Sequence, residues 1–203
     1  MRIAQRLFVL VFVCSSVIAS LALLLRVPAV FGQVAVDRPA ASWRTSLGEH
    51  RLLGEASLRW MGLKVYDARL YAPATSLSTE RLFEQPFALE LTYSLSLRGA
   101  RIADRSIEEI GQLGLGSDDE RRRWHAQMLT LFPDVRSADR IIGIYRPNLG
   151  ARFYFNDQRI GEIADVAFAR AFFSIWLDER TSVPALRRDL LGGIAATTGN
   201  SKQ

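Results

Sequence analysis

The chain has 203 residues, 49% of them hydrophobic, with 26 lysines and arginines against 21 acids. Arg2, Arg6 and Arg26 flank an apolar N-terminal run that contains no acid, and setting them aside leaves 23 bases against 21 acids, or +2. The sequence pI of about 9.9 is therefore no sign of nucleic-acid binding, and the single cysteine, Cys14, lies in that run, which excludes disulfides and thiol catalysis beyond it.

Residues 7–25 are uncharged and come after Arg2 and Arg6. A basic start before a long apolar segment predicts export. The run is longer than a usual signal core and just long enough to span a bilayer, so a cleaved signal and an uncleaved membrane tether both fit. The arginines before the segment leave the C-terminal domain outside in either case, periplasmic or anchored in the inner membrane and facing the periplasm. We divide the chain into residues 1–35 as signal peptide or anchor, 36–193 as one domain, whose size suits a single core, and 194–203 as a disordered polar tail.

In the domain, Ser42 to Leu47 reads as a short strand. Leu52 to Ala72 then reads as two strands folded back at Met61-Gly62, a two-residue turn with Gly in its second position. In the simplest register Trp60 pairs with Leu63, Arg59 with Lys64, Ser57 with Tyr66 and Glu55 with Ala68. Strand alternation places Glu55, Ser57, Arg59, Lys64 and Tyr66 on one face, and Ala56, Leu58, Trp60, Leu63 and Val65 on the other. A slip of one residue on one strand would separate Arg59 from Tyr66. The polar group reads either as a solvated sheet face or as an arginine and a phenol aimed into a cleft, a donor set that suits a carboxylate or enolate oxygen on a greasy ligand.

One helical turn comes next, near Ser78 to Glu80. Phe87 to Leu97 alternates apolar and polar residues as a half-buried strand does. Ile102 to Leu113 reads as a helix with Glu108 and Glu109 outside and Gly114 as its stop. Ser117 with Glu120 makes a capping box for a helix running to Pro133, whose three consecutive arginines read as a solvated face. Strands are expected at Arg140 to Tyr145, Ala151 to Phe155 and Arg159 to Ile163. Asp165 caps a helix, DVAFARAFFSIWL, apolar nearly all round, with Phe168, Phe172, Ile175 and Trp176 in one stripe. A last helix begins at Ser182 with Pro184 in its first turn.

Helices in two groups between antiparallel strands predict an α+β domain with helices layered on one face of a sheet. If the aromatic helix covers the polar face of the hairpin, a mixed pocket lies between them. Two histidines, His50 and His125, with no HExxH pattern and no convergent carboxylates, argue against a metal site, and no cofactor motif is present. Arg170 lies on the apolar helix, where it pairs with Asp165 or Glu162 or reaches the cleft.

GLKVYDARLYA, FPDV, DRIIGIYRPNLGARFYFNDQRIGEIADVAFARAFFSIWL and SVPALRRDLLG, in that order and spacing, resemble the bacterial exported branch of the chalcone isomerase-like proteins. The resemblance covers about Leu52 to Gly192 and implies an open-faced β-sandwich of chalcone isomerase type with a ligand cleft between sheet and helices. Plant members of that family close a chalcone to a flavanone, using an arginine for the nucleophilic phenolate and a threonine, a tyrosine and an asparagine for the developing enolate. Others bind fatty acids through an arginine and a tyrosine. The family's arginine position falls on Arg59 of GEASLR, and the isomerase threonine position on Tyr66. The isomerase tyrosine and asparagine positions fall on Arg98 and Arg105, or on Gly99 and Ser106 with a shift of one, and none of these imitates a neutral phenol or amide.

Three functions are expected on these grounds. The first is a non-catalytic binder of a fatty acid or similar small apolar acid, held by Arg59 and Tyr66 and walled by Phe172 and Trp176. The second is an isomerase, an intramolecular lyase acting on a chalcone-like enone with a rebuilt site, in which Arg59 and Tyr66 are the catalytic candidates. The third is a structural or partner-binding module whose cleft is filled by its own side chains, which Phe172 and Trp176 filling it would show. An open cleft beside Arg59 separates the first two from the third.

Overall fold

The computed structural model describes residues 42–73 and 79–192. The N-terminal segment of residues 1–35, with its apolar run at 7–25, and the tail at 194–203 lie outside the described residues. Among the described residues no helix is long and apolar enough to cross a membrane.

Six strands form one antiparallel sheet in sequence order: β1 (Arg51–Trp60), β2 (Leu63–Ala72), β3 (Phe87–Tyr93), β4 (Arg140–Arg146), β5 (Gly150–Phe155) and β6 (Gln158–Ile163). The helices α2 (Gly99–Gln112) and α3 (Asp118–Leu131) separate β3 from β4, and α4 (Val166–Leu177) and α5 (Pro184–Leu190) come after β6. The result is an α+β open sheet with its main helical layer on one face, as the sequence pattern predicts.

The main core lies between that layer and the sheet. Phe172 of α4 meets Phe153 of β5 edge-on at 5.3 Å, and Phe173 meets Phe87 of β3 at 5.0 Å, the offset geometry that aromatic quadrupoles favour. Every α4 residue from Ala171 to Leu177 is buried, which is why the helix is apolar on nearly all sides. Its N-cap, Asp165, accepts from the Phe168 amide at 2.9 Å and from Trp124 Nε1 at 2.9 Å, so one carboxylate both caps α4 and ties α3 to it. The Ser117–Glu120 capping box is present at the start of α3. Arg170 is exposed and lies over the Phe83 ring at 5.0 Å, with no ion pair to Asp165 or Glu162 and no place in the cavity wall among the described residues.

Two local expectations are corrected. Ser42 to Leu47 is a helix, α1 (Trp43–Leu47), capped by Ser42 and stopped at Gly48, whose φ is 75°. Four-residue spacing lets Trp43 and Leu47 both turn onto the outer face of the sheet, where they pack with Ala88, Ile142, Ile144 and Tyr154. The middle strands are consequently buried on both faces. The strand expected at Phe87 to Leu97 ends at Tyr93; Ser94 donates its amide to Val65 and Leu97 bridges to Val135.

The hairpin differs in a way that matters more. Trp60 pairs with Leu63 and Arg59 with Lys64 as expected, but Leu58 then pairs with Tyr66, Ser57 with Asp67 and Ala56 with Ala68. Val65 is therefore a β-bulge, one extra residue on β2, and every side chain beyond it changes face. Asp67 accepts from Ser57 Oγ and from Lys64 Nζ at 2.8 Å, and Arg69 pairs with Glu55 at 3.1 Å, on the outer side. Tyr66 turns inward beside Leu58, Ala68 and Leu70.

Candidate functional site

A cavity of about 760 Å³ opens between the inner face of the sheet and helices α2 and α4. That volume is in the range of small-ligand sites. Its wall is mostly hydrocarbon, from Leu58, Val65, Leu91, Ile141, Phe172 and Ile175 among others, and Arg59, Tyr66 and Trp176 line it too. All four residues singled out in the sequence thus face one space, and Phe172 and Trp176 wall it without filling it.

The grouping arises differently from the expected one. Alternation on an unbroken strand would put Arg59 and Tyr66 on a shared polar face; the bulge instead turns Tyr66 into the apolar interior, and Arg59 reaches the cavity rim from the end of the hairpin. Arg59 is exposed, and its only side-chain bond among the described residues is a long one, 3.4 Å, to the Gly62 carbonyl. Among the described residues its guanidinium keeps most of its donors free.

Tyr66 is 9% exposed and accepts a hydrogen bond from Trp176 Nε1 at 2.9 Å. Because Tyr66 is the acceptor there, its own proton remains available to a ligand oxygen. Burial pushes this phenol from the ordinary 10.0 up to about 12; the Trp176 bond offsets part of that rise, the Glu109 charge adds to it and the Arg105 charge opposes it. At neutral pH Tyr66 is a neutral donor.

Sequence reasoning missed three residues of this cavity. Glu109, expected outside, is buried at 6% exposure, and its carboxylate accepts from Arg105 Nη2 and from Ser182 Oγ at 2.8 Å. The signal was present: Ile102, Ser106 and Glu109 recur at helical spacing and so share the face of α2 that lines the cavity. Tyr93, in the stretch read as a half-buried strand, stands directly opposite Tyr66 on the neighbouring strand, the rings edge-on at 6.0 Å. It is 3% exposed and its hydroxyl makes no hydrogen bond among the described residues; burial raises its pKa, and the Tyr66 charge adds to the rise. Arg101 lines the cavity, is exposed, and makes no ion pair among the described residues.

The positions at which the family resemblance looks for a neutral phenol and amide hold other chemistry. Arg105 is spent on Glu108, at 3.0 Å, and on Glu109, and Ser106 donates its hydroxyl to the Ile102 carbonyl at 2.8 Å. Arg98 is the exposed residue at the start of α2 and does not line the cavity. Among the described residues no group of three or more metal-ligating side chains occurs; His125 is bonded to Asp104 at 2.8 Å and His50 to the Gly48 carbonyl at 2.6 Å.

No match was found among curated protein sequences. Among solved structures the chain resembles an Arabidopsis thaliana fatty-acid binding protein, AtFAP1, with a TM-score of 0.59 and 15% identity over 73% of this chain and 89% of that one. Likeness at that identity speaks to the fold, which is the same helix-backed antiparallel sheet. A family model described as chalcone isomerase-like matches residues 42–192. That span takes in all six strands and every helix walling the cavity, and the chain belongs to the chalcone isomerase-like family.

Proposed function

We propose that the protein binds a fatty acid or a similarly small apolar acid, without catalysis, in the cavity between sheet and helices. The observation that carries this reading is a mostly hydrocarbon cavity whose rim holds an arginine with no ion pair among the described residues. The acyl chain lies against Phe172 and Trp176, and the carboxylate takes donors from Arg59 and Tyr66. A charge-assisted bond of this kind contributes about 2 kcal/mol, and apolar burial at roughly 25 cal/mol per Å² supplies most of the rest. The fatty-acid binding function named for AtFAP1, which shares the fold, lends the reading weight.

Against conjugate addition to an enone, α2 presents the cavity with an arginine already ion-paired and a serine bonded to its own helix. Losing one oxyanion donor typically costs about 3 kcal/mol of transition-state stabilisation, and more than one donor type is missing. The proposed setting is outside the cytoplasm, periplasmic or tethered through residues 7–25, and it rests on the N-terminal sequence.

The test is displacement of a fluorescent acyl probe by hexadecanoic acid, run beside an Arg59→Ala variant. We expect competitive displacement by the native chain and binding weakened about tenfold or more in the variant, the loss of one charge-assisted contact. No displacement from the native chain, or equal affinity in both, contradicts the assignment. A chalcone that is consumed on mixing would favour the isomerase.

A further inference from the structure

The turn between β1 and β2 carries three large apolar side chains in four consecutive positions. Trp60, Met61 and Leu63 are 69%, 87% and 68% exposed, the most exposed large hydrophobic residues among those described. Leu52, Leu129, Leu149 and Val166 are also exposed but lie apart from one another in the sequence. Met61 has φ 48° and Gly62 φ 82°. Two-residue turns of this kind favour Asn, Asp or Gly at the first central position, because the left-handed region is unfavourable for longer side chains. Folding therefore gives no reason for a methionine here, and its side chain packs little of itself against the protein.

Charge surrounds the patch. Arg59 precedes Trp60 with no ion pair among the described residues, and Lys64 comes after Leu63, shared with Asp67 at 2.8 Å. Arg101, across the cavity on α2, is likewise exposed and without an ion pair among the described residues. Three side chains offer far less than the ~800 Å² per partner that a stable protein interface buries. They do match what a bilayer interface takes up: an indole at headgroup depth, aliphatic and thioether groups just below it, and cations against lipid phosphates.

We propose that the hairpin tip, Trp60, Met61 and Leu63, is a contact for an anionic lipid surface. Trp60 and Arg59 also line the cavity, so a seated tip sets the cavity mouth against the bilayer. An apolar acid then passes between lipid and protein without crossing water. That last use rests on the binding function proposed above; the surface contact itself does not.

The experiment uses the full chain in vesicles of mixed phosphatidylcholine and phosphatidylglycerol. A nitroxide is attached at Met61→Cys in a Cys14→Ser background, and its collision rates with oxygen and with an aqueous nickel chelate are measured by power saturation. The reference is the same label at Leu149→Cys. Leu149 is 56% exposed in the turn between β4 and β5, which the antiparallel order places at the opposite end of the sheet.

We expect chelate access several-fold lower, and oxygen access higher, at Met61→Cys than at Leu149→Cys, with the protection lost when Leu63→Asp is added. Equal chelate access at the two sites, or protection unaffected by Leu63→Asp, would overturn the proposal. Acyl displacement is measured separately on the native chain. Bilayer contact without displacement keeps the lipid surface and sinks the acid binder; displacement without bilayer contact does the reverse.

Discussion

Tyr66 and Tyr93 face each other across two strands with very different hydrogen bonding. Tyr66 accepts from Trp176, whereas Tyr93 has no partner among the described residues. Both phenols hold their protons more tightly in the fold than in the unfolded chain. Their contribution to stability is complete below the ordinary value of 10.0 and is lost as pH rises through about 12 for Tyr66 and higher for Tyr93. Between those limits each phenol lowers stability by about 1.4 kcal/mol per pH unit, because the unfolded state has already released the proton. Denaturant midpoints taken from pH 9 to pH 12, values chosen to bracket that window, are expected to fall less steeply for Tyr93→Phe than for the native chain. Parallel slopes would mean that Tyr93 is better hydrated than its burial implies. Tyr93's place in the cavity could not be read from the sequence, because alternation along Phe87 to Leu97 distinguishes inner from outer face but not core from cavity.

At the level of elements, the start of α2 decides whether the cavity exists. Gly99 donates its amide to Asp134 Oδ1 at 2.9 Å, and a Cβ at this position would lie 2.0 Å from the Phe132 carbonyl oxygen. The backbone after α3 can therefore approach α2 only because residue 99 has no side chain. Gly99→Ala should cost about 1–3 kcal/mol by overpacking, push the start of α2 away, and weaken acyl binding through Arg101 and Ile102. An unchanged denaturation midpoint would show that the two segments separate freely.

The hairpin shows where sequence reasoning stops. Turn chemistry placed the reversal at Met61-Gly62 correctly, and Trp60 and Arg59 have the expected partners. A bulge has no dependable sequence signature, and the one at Val65 moved Tyr66, Asp67 and every later residue of β2 to the opposite face. The interior gained its phenol that way. In α1, five residues are too few for periodicity to separate helix from strand, and the Ser42 cap emerges only in the structure.

For the whole molecule, alternation in β3, the capping box at Ser117 and the nearly all-apolar α4 were enough to forecast an antiparallel sheet backed by helices. Those signals are local, and each reports burial of one face. A cavity is a different kind of feature: it depends on how far two layers stand apart, which is set by Gly99, by the Trp176–Tyr66 bond and by Glu109 held between Arg105 and Ser182. No pattern within a single element records that distance. The candidate residues were legible because arginine and tyrosine beside a turn form a distinct donor pair, and Glu109 could have been found from its spacing with Ile102 and Ser106, while Arg101 became visible only once α2 was laid over the sheet.

Whether this space holds an apolar acid by its head group is decided by native mass spectrometry of the gently purified full chain beside its Arg59→Ala variant. A co-purifying acyl mass is expected on the native chain, lost or sharply reduced in the variant. No adduct on either protein, together with no mass shift when fatty acids are added, would contradict that expectation.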